Sequence, residues 1–103
     1  MTGKQLLEIV SDIYRAPLGV FPRWGLGASM KVSISSAPNS ITLTNEHSEN
    51  ATLSSEEGGF RVYPCPLFKT EAQSFEELSE AVLFLLSLFL KSEVMRKVGN
   101  AHK

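Results

Sequence analysis

Residues 74–90 read SFEELSEAVLFLLSLFL, and this stretch decides the fold. Ser74 followed three residues later by Glu77 is a capping box, in which hydroxyl and carboxylate each satisfy a backbone N–H orphaned at a helix start. Glu76 and Glu77 also suit the positive end of a helix dipole. Apolar residues then run from Ala81 to Leu90, interrupted only by Ser87. That run is well short of the roughly 20 apolar residues that a bilayer span requires. It reads instead as a helix buried on more than one side. Helical spacing puts Leu78, Val82, Leu85 and Phe89 on one stripe that covers a sheet. Leu83, Leu86, Leu90 and Val94 form a second stripe, rotated by about a quarter turn or slightly more. Phe84 extends the apolar arc on the other flank. Beyond Lys91 the pattern shifts, because Arg96 falls on the face that was apolar before. The helix is therefore expected to bend, fray or leave the core there. Gly99 is the predicted stop, with residues 99–103 as a mobile tail.

Working back from this helix, Phe60-Arg61-Val62-Tyr63 reads as a strand ended by Pro64 and Pro66, since proline cannot donate to a ladder. Glu56-Glu57-Gly58-Gly59 is a turn. Further back, Met30, Val32 and Ile34 alternate with Lys31, Ser33 and Ser35, and Ile41 and Leu43 alternate with Thr42 and Thr44 across the turn 37–40. Period-two alternation of this kind fits a sheet with one buried face. Ala51-Thr52-Leu53-Ser54 is a short, weaker strand signal. No two strands leave room for a crossover helix, so the sheet is predicted to be an antiparallel meander of three to four strands. At the other end, Leu6, Leu7, Val10, Ile13 and Tyr14 recur at helical spacing over 4–16, with Thr2 as N-cap and Pro17 ending the run. The predicted architecture is a single two-layer α+β domain over residues 1–103: N-terminal helix, meander, and a long C-terminal helix on one sheet face.

Composition bounds the function. A chain of 103 residues is one domain long, and 43% hydrophobic content supplies a core without metals or disulfides. Ten basic residues against eleven acidic ones give a net charge of −1, which lacks the electrostatic footprint of a nucleic-acid or anionic-membrane binder. Lys91, Arg96, Lys97 and Lys103 gather near the C-terminus, where they also complement a helix dipole. Cys65 is alone, so no internal disulfide forms, and the first residues show no basic stretch leading into an apolar run. The expected setting is cytoplasmic.

Few residues point to catalysis. Cys65 is the one thiol nucleophile, with His47 as its possible base, yet Pro64-Cys65-Pro66 has no activating motif and His47 lies in a polar loop beside Glu46 and Glu49. A metal site would have to draw on His47, Glu46, Glu49, Cys65 and His102, whose spacing fits no zinc or calcium pattern. Gly25-Leu26-Gly27 precedes a strand, whereas phosphate-cradling loops lead into a helix. No cofactor or metal is expected.

Two features suit binding. The loop 16–29 is apolar for a connection and carries Phe21, Arg23 and Trp24, residue types enriched at interface hot spots. These aromatics either cap the core or hold a partner. The second helix stripe, Leu83, Leu86, Leu90 and Val94, is covered by helix 4–16, by a second copy in a two-fold dimer or by a partner. The expected function is a small non-enzymatic protein-interaction domain that works by binding a larger protein. Adaptors, chaperone-like proteins and inhibitors are of this kind, including those encoded by phages or mobile elements. The alternative is a small enzyme or ligand-binding domain that uses Cys65 or His47 beside an apolar pocket.

Overall fold

The computed structural model describes residues 2–15 and 32–101. Thr2 caps helix α1 (Gly3–Arg15) through a reciprocal pair: the Gln5 amide donates to Thr2 Oγ1 at 3.2 Å and the Thr2 amide to Gln5 Oε1 at 2.9 Å. Two N–H groups at the helix start are satisfied in this way. Leu6 and Val10, four residues apart on one face, are fully buried.

Five strands follow: β1 (Val32–Ala37), β2 (Ser40–Asn45), β3 (Asn50–Glu56), β4 (Gly59–Pro64) and β5 (Gln73–Phe75). They form one antiparallel sheet in the order β1-β2-β3-β4-β5. The register sets Ile41 opposite Leu53 and Leu53 opposite Val62, a buried apolar row across three strands. On the opposite face Thr42 lies across from Thr52 and Thr52 across from Tyr63, with the two threonine hydroxyls hydrogen-bonded at 2.8 Å. One face is thus hydroxyl-rich and wet, and the other is core. The weak segment 51–54 is a full strand in the middle of the sheet, and the sheet has one strand more than the sequence suggests.

The additional strand corrects the capping-box reading. Ser74 does not cap a helix; it sits in β5 opposite Arg61, whose Nη1 donates to Ser74 Oγ at 3.1 Å. Phe75 pairs with Phe60 and stacks at a tilt on Phe84, ring centroids 5.4 Å apart. Burying Phe75 and pairing three backbone residues outweighs a local cap worth about 1 kcal/mol. The C-terminal helix, α2, consequently starts at Leu78, with Ala81 N–H donating to the Glu77 carbonyl.

Helix α2 (Leu78–Ala101) runs through Gly99, so the expected stop and mobile tail give way to helix as far as residue 101. Ala81, Val82, Leu85, Leu86, Leu88 and Phe89 are its buried residues. Helix α1 packs on β1 and β2, while α2 packs on β3, β4 and β5. Both helices feed one core cluster, in which each large apolar side chain contributes on the order of 1.5–3 kcal/mol. Among the described residues, no helix is long and apolar enough to cross a membrane.

Candidate functional site

The site begins with a hairpin connection. Strand β2 ends at Asn45, whose Oδ1 accepts the N–H groups of His47 and Glu49, both at 3.0 Å. Ser48 takes up a left-handed backbone, φ 64°, and the chain turns back into β3. This tight loop delivers the Glu49 carboxylate into the protein beside α2. There it accepts from Asn45 Nδ2 at 2.7 Å, Arg96 Nη2 at 3.0 Å, and the Ser92 hydroxyl, which lies 2.9 and 2.8 Å from its two oxygens. Arg96 Nη2 also reaches Ser92 Oγ at 3.2 Å, which closes the ring. Burial alone pushes the Glu49 carboxyl up. Donation from Asn45, Arg96 and Ser92, with the Arg96 charge, outweighs that and holds it below the ordinary carboxylate value.

Arg96 therefore stays on the core side of α2 because a carboxylate waits for it, and the helix does not end there but continues to Ala101. The sequence carried half of this signal: a cation on an apolar face requires a buried anion. Which anion depends on sheet register, since Glu49 and Arg96 are 47 residues apart.

Next to this ring lies a groove of about 520 Å³ between α2 and the segment after β4. A single 3-10 turn, Pro66–Phe68, forms one wall, and Phe68 anchors it by an edge-on contact with Phe89, centroids 5.1 Å apart. Leu67 and Met95, 60% and 64% exposed, line the groove together with Phe68 and Leu88. Lys69 and Lys91 complete the lining, and among the described residues neither is in an ion pair. Arg96 Nε is buried without a hydrogen-bond acceptor and lies 3.9 Å from the Glu93 carboxylate. The lining thus carries Lys69 and Lys91 outside any ion pair among the described residues, while Arg96 is paired with Glu49 and Glu93. An anion with an apolar body fits that chemistry.

A second surface lies on the far side of α2. Leu83, Val94 and Val98 are 57%, 50% and 50% exposed, and Leu90 is half-buried. Together they occupy an arc of about 80° opposite the core. Leu86, assigned to this stripe from sequence, is fully buried in the core, and Val98 takes its place on the outer face. Val98 was missed because the helix was read as failing near Lys91. Helix α1 sits over other strands, and Leu83 and Val94 remain exposed.

The remaining sequence candidates are not brought together. Phe21, Arg23 and Trp24 lie outside the described residues. Cys65 is half-buried at the end of β4, its sulfur accepting the Asn50 N–H at 3.4 Å. His47 is exposed, its Nε2 3.8 Å from Glu46. Neither lines the groove. Among the described residues, no group of three His, Cys, Asp or Glu could hold a metal ion. Comparison of the chain with protein-family models, with curated proteins and with solved structures finds no match.

Proposed function

We propose that this protein is a small non-enzymatic interaction domain, of adaptor, chaperone-like or inhibitor type, and that the outer face of α2 is where a second copy packs. The observation that carries the reading is a second apolar stripe on α2: Leu83, Val94 and Val98 stand at least half exposed opposite a buried stripe. Large apolar side chains grouped on an exposed helix face ordinarily mark an interface. The exposed face runs from Leu83 to Val98, about 22 Å of helix. Leu83, Leu90, Val94 and Val98 are uncharged, which suits the self-facing patch of a two-fold interface, with Ser87 and Glu80 sharing the same side of the helix. An enzyme built on Cys65 and His47 has less support, because the sulfur accepts a backbone amide and the imidazole sits beside Glu46. A free thiol fits a cytoplasmic setting. Phe21, Arg23 and Trp24 stand as the anchors for a larger protein partner.

Light scattering after size exclusion, over a wide concentration range, tests the α2 face. The expected result is a dimer for the native chain and a monomer of unchanged circular dichroism for Leu83→Glu/Val94→Glu. A native chain that stays monomeric throughout would overturn the self-association reading.

A further inference from the structure

We propose that the groove between the 3-10 turn and the second half of α2 binds an acidic peptide segment carrying an apolar side chain. The inference takes from the preceding reading only that the protein works by binding proteins, and it uses a different surface of α2. Its basis is the match of three features in one cavity. The cavity holds about 520 Å³, within the range of binding sites for small ligands and short segments. Its walls, Leu67 and Met95, are large apolar side chains left mostly in water, while Phe68 and Leu88 tie its floor to the core. Its charged groups are Lys69, Lys91 and Arg96, and the one lining carboxylate, Glu49, is saturated by Asn45, Ser92 and Arg96.

The internal ring matters for recognition. Glu49 holds Arg96 in place and offsets only one of the three positive charges. Among the described residues Lys69 and Lys91 are in no ion pair, and one lies on the segment after the 3-10 turn and the other on α2. A ligand that neutralises them must carry at least two carboxylates separated by an apolar group. An acidic peptide with a leucine or phenylalanine between Asp or Glu residues has that pattern.

Other occupants fit less well. A fatty acid has one carboxylate and needs its chain enclosed, whereas the exposed Leu67 and Met95 leave the groove open. Nucleic acid would want free aromatic faces for stacking, and the Phe68 ring is engaged with Phe89. Methionine walls adapt to the shape of an inserted side chain, which suits a peptide. The net charge of −1 makes the cationic rim a local feature, so salt screens the attraction without abolishing the apolar contact.

Selection from a random-peptide display library against the full chain tests this. The expected result is enrichment of sequences with Asp or Glu flanking Leu, Ile or Phe. The best of them, made synthetically, should bind Lys69→Glu/Lys91→Glu about tenfold or more weakly, and more weakly at high salt. It should bind the monomerising variant Leu83→Glu/Val94→Glu undiminished, which separates this inference from the self-association reading. No enrichment, a consensus lacking acidic residues, or equal binding to the double lysine variant would overturn it. So would oleate or a single-stranded oligonucleotide binding the native chain and losing that binding in the lysine variant, since the groove would then belong to that ligand.

Discussion

Glu49 is where single-residue chemistry bears most on stability. Its folded pKa is lowered, so the sign of the linkage follows directly: the stabilisation is full above the unfolded value, 4.5, and is lost as pH falls through the folded value. Urea midpoints measured downward from about pH 5 should therefore fall more steeply for the native chain than for Glu49→Gln. Arg96→Met removes the charged donor from a buried carboxylate. Because Arg96 is about a third exposed, water softens the loss, and a cost of about 2 kcal/mol is expected. The same change raises the Glu49 pKa toward the unfolded value, so the acid-induced loss should be smaller than in the native chain. If Arg96→Met left both the midpoint and its pH dependence unmoved, the ring would contribute nothing to stability.

At the scale of the elements, what was legible depended on whether a local pattern met tertiary competition. Thr2, the alternation over 32–35 and 41–44, and the apolar run 81–90 each specify their element without a rival. Ser74 and Glu77 had one: the helix cap lost to strand pairing with β4, which only becomes available once Phe75 can reach Phe60 and Phe84. Strand β5 was hidden for the same reason, being three residues inside a cap signature. Gly99 was misread as a terminator because glycine favours helix ends, yet here it lies inside α2 with nothing near an added methyl group. Gly99→Ala should then stabilise the protein by up to about 0.5–1 kcal/mol, the helix-propensity difference. A loss in thermal midpoint would restore Gly99 as a stop. Gly3→Ala is the contrasting case, since its Cβ would run into the Ala37 carbonyl oxygen while the Gly3 N–H donates to Pro38 O. Prying the start of α1 off the β1–β2 turn should cost about 1–3 kcal/mol, read from the urea midpoint.

For the molecule as a whole, the layered arrangement followed from chain order, but the two surfaces proposed for binding did not. The groove needs residues 67–70 brought against 88–96, and only the β4–β5 connection does that. The outer face of α2 was half legible: Leu83, Leu90 and Val94 were named correctly as one stripe, while the division of labour between the helices was not. Because α1 covers β1 and β2 and α2 covers β3 to β5, neither helix shields the other's outer side. On the self-association reading, burial of that face comes from a second copy, and association leaves a thermodynamic signature. Anything that binds the folded chain and not the unfolded one raises apparent stability with its own concentration. If the second copy is that ligand, the thermal midpoint of the native chain should climb as protein concentration rises. In Leu83→Glu/Val94→Glu it should stay flat, and at high dilution the two should converge. Parallel, concentration-independent midpoints would mean that no second copy stabilises the exposed face, whatever the hydrodynamic mass.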